Sequence, residues 1–129
     1  MIENAIYHIL SNDAGVSGKI STRIYPMVAP ENASVDYYCT YQIISSATNS
    51  TKSSIGDRDT FLIQIDAYGP TNTKAAELGQ DIRTALEGYS GTANGVVIEY
   101  CDYKGQNDTF EELENLFRKS YDFEILKRL

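Results

Sequence analysis

A chain of 129 residues, 42% apolar and with a formal net charge of −7, fits one domain built on one modest core. The acidic balance speaks against general nucleic-acid binding, which needs clustered Lys and Arg to displace counterions from phosphates. No apolar run approaches the roughly 18 residues of a membrane span, and MIENAIYHIL has neither the basic start nor the small-residue cleavage site of a signal peptide, so none is expected.

In chain order, Ile2, Ile6, Ile9 and Leu10 fall at helical spacing, and the helix is expected to end near Asn12–Gly15. Arg23-Ile24-Tyr25-Pro26 reads as a short extended piece, because the residue before a proline is pushed toward β geometry. DYYCTYQIIS, residues 36–45, alternates as a strand, with Tyr37, Cys39, Tyr41 and Ile43 on one face. SATNSTKSSIGDRD, residues 46–59, is polar and nearly free of apolar anchors. It is expected to form a flexible arm between two strands that orders on a partner.

FLIQIDAY then puts Phe61, Ile63, Ile65 and Ala67 on one strand face and Gln64, Asp66 and Tyr68 on the other. Asn72 or Thr73 is the expected N-cap of a helix whose apolar stripe is Ala75, Leu78, Gly79, Ile82, Ala85 and Leu86, with Gly88 just past its end. Glu77 and Asp81 belong to its polar face. VVIEYCDY, residues 96–103, reads as a further strand, FEELENLF as either a helical turn or an irregular connection, and Tyr121, Phe123 and Ile125 as a last strand. The pattern is α+β: a small, mostly antiparallel sheet against two main helices, in a single domain spanning residues 1–129.

Signs of catalysis are thin. The strand–turn–helix from Phe61 to Leu86 suggests a phosphate site, with Asp66 aimed at a ligand. GPTNTK, however, has one glycine, and neither G-x-G-x-x-G nor G-x-x-x-x-G-K-[ST] occurs. His8 is the lone histidine and reads as an exposed helical residue; Cys39 and Cys101 read as reduced core thiols. No metal or cofactor is expected. Ten tyrosines against four phenylalanines suit sheet faces and subunit contacts.

The landmarks taken together carry a resemblance. Arg23-Ile24-Tyr25-Pro26, Ala29-Pro30, Tyr41-Gln42 with Ser45, Gln64-Ile65-Asp66 with Tyr68, Ala76-Glu77-Leu78, Ile82-Arg83-x-Ala85-Leu86-x-Gly88, Gly95-Val96-x-Ile98 and Tyr121-Asp122-Phe123 follow in order. In that order they resemble the tail-completion (tail terminator) family of long-tailed bacteriophages and prophages, over about residues 2–126. The resemblance implies a structural virion protein without catalytic residues. It would form a hexameric ring on the tail tube protein, stop tube growth, and join the tail to a head-completion or connector protein. Genomic DNA would pass through without specific binding, at the head–tail junction and away from any membrane. Thr48, Asn49, Lys52, Arg58 and Asp59 are the expected partner contacts, and Gln64, Asp66, Glu77 and Asp81 the expected interface or lumen residues. Two other readings remain at this stage: a head-side adaptor ring, or a small enzyme with a scattered site.

Overall fold

A computed structural model of the chain describes residues 2–27, 29, 37–51, 54–111 and 116–128, with the backbone alone at 48–51, 54–57 and 111. The elements are α1 (Ile2–Asn12), α2 (Ala14–Ile20), β1 (Ile24–Pro26), β2 (Tyr38–Thr51), β3 (Ser54–Gly69), α3 (Asn72–Leu86), β4 (Gly91–Ala93), β5 (Val96–Glu111) and β6 (Leu116–Arg128). The strands form one six-stranded sheet in the order β1-β2-β3-β6-β5-β4. Among the described residues only β1 pairs in parallel, with β2; the other neighbours are antiparallel.

The alternation read from the sequence sets the two faces. Cys39 and Tyr41 of β2, Ile63, Ile65 and Ala67 of β3, Ile98 and Cys101 of β5, and Tyr121, Phe123 and Ile125 of β6 point into the core. There they meet Ile6, Leu10, Val16, Ile20, Leu78, Ile82 and Leu86 of the three helices. Gln64, Tyr68, Asp102, Asp122 and Glu124 project from the opposite, helix-free face. The result is a two-layer α+β domain, helices on one side of a sheet.

Four expectations need revision. A third helix, α2, follows α1 after a one-residue break: the Asp13 carboxylate accepts from the Val16 N–H at 3.0 Å and starts it. Gly15 and Gly18 weakened that signal in the sequence. The cap of α3 is Thr71, whose hydroxyl accepts from the Lys74 N–H at 3.1 Å, rather than Asn72 or Thr73. Phe110 and Leu116 lie on strands β5 and β6, so the described ends of FEELENLF belong to a hairpin, not to a helical turn. Finally, 46–59 is not a connector: 46–51 extend β2, 54–59 extend β3, and Lys52 and Ser53 lie outside the described residues. Pairing supplies the order that apolar anchors do not, since alternate residues of the two strands exchange backbone N–H and C=O bonds across the hairpin.

The two long hairpins point opposite ways. Arg58 of β3 pairs with Arg128 at the end of β6, so the β2–β3 hairpin runs on past one end of the sheet. Gly69 pairs with Phe117, and the β5–β6 pairing continues to Glu111 and Leu116 at the other end.

Candidate assembly interface

The stretch that suggested a phosphate site shows why it is something else. Gly69 lies so close to the first turn of α3 that a Cβ there would stand 2.7 Å from the Ala75 backbone nitrogen. The glycine is required by close strand–helix packing. Asp66, three residues earlier in the strand, is turned toward Gln64 and Arg118 instead.

Asp66 is 5% exposed on the helix-free face. Its Oδ1 accepts from Gln64 Nε2 at 2.9 Å, and its Oδ2 from an Arg118 Nη2 at 3.0 Å. Thr40 Oγ1 lies 3.5 Å from the same oxygen. Alongside, Tyr38 stacks on Tyr68 with ring centres 4.5 Å apart, and Tyr25 packs against Tyr38 at 6.1 Å. A carboxylate paired and hydrogen-bonded in this way holds strands β2, β3 and β6 in register, and its oxygens are occupied by the protein's own donors.

The other expected contact residues are dispersed. Asp81 of α3 pairs with Lys19 of α2, clamping two helices together, and the contact raises the Lys19 pKa. Glu77 is exposed on α3. Arg58 reaches across β6 to Glu99, which also receives Arg128 at 3.2 Å. The two guanidiniums hold the Glu99 carboxyl below the usual carboxylate range. Asp59 is half-buried on β3 beside Lys127 of β6. Thr48 and Asn49 fall on β2 opposite Asp59 and Arg58. The structure therefore brings Gln64 with Asp66, and Arg58 with Glu99, but does not gather the set into one pocket.

Among the described residues no cluster of three metal-ligating side chains occurs. A shallow cleft beside the start of α3 is lined by Asn72, Asp108, Phe110, Phe117 and Lys119. Lys119 is buried and donates to Asp108 Oδ2 at 2.8 Å, so its charge is matched internally. His8 is exposed on α1. Cys39 and Cys101 are free, buried thiols, three strand steps apart on β2 and β5.

The geometry is that of surfaces rather than of a reacting centre, and comparison with known proteins agrees. The model of the family Tail completion protein gp17 matches residues 4–128. The chain belongs to that family. Tail completion proteins are structural proteins of phage tail assembly and not enzymes, and this chain takes part in tail assembly. No curated protein matches it. Among solved structures, a chain of the virion of a native gene transfer agent particle superposes with a TM-score of 0.75 at 17% identity, over 96% of this chain and 92% of that one. A second solved chain superposes with a TM-score of 0.64 at 9% identity, over 98% of this chain and 96% of its own. At these identities the two establish a shared fold. Within the tail completion fold, sequence reasoning missed Arg118, Glu99 and Lys119. Each acts through a partner on another strand, and no local spacing encodes that.

Proposed function

We propose that this tail completion protein assembles as a hexameric ring on the finished tail tube, stops further addition of tube protein, and offers its other surface to the head connector. The observation that carries the reading is the family match over residues 4–128, which spans nearly the whole chain. Three structural features support it. The helix-free sheet face is polar and acidic at Asp122 and Glu124, suited to a bore that does not grip passing phosphates. The sheet has two different open edges, as a head-to-tail contact requires. The β2–β3 hairpin, which carries Thr48, Asn49, Arg58 and Asp59, runs on past the end of the sheet to meet tube or connector. In this arrangement Gln64 lines the bore and Glu77 an outer contact, while Asp66 and Asp81 keep those surfaces in shape. The protein then resides in the virion at the head–tail junction.

The test is removal of its gene from the phage or prophage that carries it. Expected are filled heads without tails, together with tails of uncontrolled length, both corrected by supplying the protein in trans. Normal, joined particles without it would overturn the reading.

A further inference from the structure

The described residues leave one long strand edge uncovered on each side of the sheet. β1 covers β2 only at Cys39–Tyr41, so no described strand lies beside residues 42–51. β4 covers β5 only at Val96–Ile98, and the Gly88 N–H just past α3 donates to the Cys101 carbonyl at 2.8 Å, so no described strand lies beside residues 102–111. Proteins normally guard such edges with charge or proline, because unpaired backbone groups recruit other chains. Residues 42–51, QIISSATNST, contain no charged residue, no proline and no glycine. Exposed apolar side chains mark both edges: Ile44 at 49% and Phe110 at 43%.

We propose that the open β2 edge of one copy pairs with the open β5 edge of a second copy, so that the sheet runs on from subunit to subunit. The proposal rests on the ring reading and names its contact. β2 and β6 run one way and β3 and β5 the other, so in a sheet that closes into a ring the β2 of one copy meets the β5 of the next antiparallel, the commoner pairing.

The two short strands fix the offset. With no offset, β1 would collide with the neighbour's β5. Through Lys119 and Ala67, Asp108 stands level with Cys39. Sliding the neighbour from the level of Ala67 to that of Phe61, about six residues, brings Asp108 opposite Ser46, Phe110 opposite Ile43 and Asn107 opposite Ala47. Glu111 then stops opposite Gln42, just short of β1, and β4 passes beyond Thr51. An even slide keeps each copy's helices on the same side. About six residues at about 3.3 Å is a stagger of about 20 Å across four strands about 19 Å wide. That ratio tilts the strands by roughly 45° from the ring axis, at the upper end of the roughly 35–45° typical of closed barrels.

The experiment places Ala47→Cys and Asn107→Cys in one full-length chain and treats it with a short bismaleimide. The two single variants and the wild type serve as blanks, since Cys39 and Cys101 are buried. Expected is a ladder of covalent multimers from the double variant and monomer alone from the others. Rings by native mass or negative stain without a ladder would overturn the edge pairing and leave the ring standing. No ring, in solution or on tail tubes, would overturn both. Dimers from either single variant would show like edges meeting, and would also overturn it. A second variant, Ser45→Lys with Ala47→Lys, should stay folded by circular dichroism yet shift from ring to monomer mass; persistent rings would count against the proposal.

Discussion

At the residue scale, single contacts decide whether a feature is chemical or structural, and two glycines illustrate it. Gly69 is enclosed by the backbone of Lys74 and Ala75, which cannot move aside without shifting α3. Gly69→Ala should cost about 1–3 kcal/mol, the usual range for overpacking, seen as a lower urea midpoint with unchanged slope. Gly79 is enclosed by the ring of Tyr121, a side chain. A phosphate-binding role for the first glycine would predict no such loss. The buried thiols give a second test. Burial pushes Cys101 up to about 12 and Cys39 higher still, against about 8.5 in an unfolded chain. Because the folded values are raised, stability is full below about pH 8.5 and falls as pH rises above it, by up to about 1.4 kcal/mol per pH unit per thiol. Urea midpoints at pH 7 and pH 10 should therefore separate for the wild type and separate less for Cys101→Ala. Equal separations would show that the thiols do not set the alkaline limit.

At the element scale, α3 offers the sharpest contrast. Thr71 caps it and Asn72 does not. Thr71→Ala should cost about 0.5–2 kcal/mol, whereas Asn72→Ala, at an exposed first-turn position, should cost little; thermal melts of the two compare them directly. Most elements were legible in the sequence because period-2 and period-3.6 patterns report burial: Phe61, Ile63 and Ile65 do pack toward Leu78, Ile82 and Leu86. β4 was missed although Asn94-Gly95 signals it. Both residues have positive φ, 49° and 81°, as a two-residue hairpin turn of this kind requires. The extension of β2 and β3 through 46–59 was not legible, because polar residues pair their backbones without leaving an apolar pattern. Of the candidate contact residues, spacing identified which face Gln64 and Asp66 occupy. It could not identify Arg118, Lys19 or Glu99 as their partners or neighbours, since those arrive from distant strands and helices.

At the scale of the whole molecule, sheet and helices assign the faces of the proposed ring. A sheet closed edge to edge with helices on one side places the bulky layer outside, so the helix-free face lines the bore. That face carries Asp102, Asp122 and Glu124. Asp102 is paired with Lys104 at 3.1 Å, while Asp122 and Glu124 make no ion pair among the described residues and supply its net acidity. Changing both to lysine, Asp122→Lys with Glu124→Lys, moves each subunit by four charges, from −7 to −3, on one face and without touching the core. Those rings should retain duplex DNA at low salt, and release it as salt rises with the log–log dependence of phosphate contacts. Wild-type rings should retain none. Rings of the double variant that ignore DNA at low salt would place this face away from the bore and send the helices inward. Loss of rings would instead place Asp122 and Glu124 between copies, against the edge-to-edge closure.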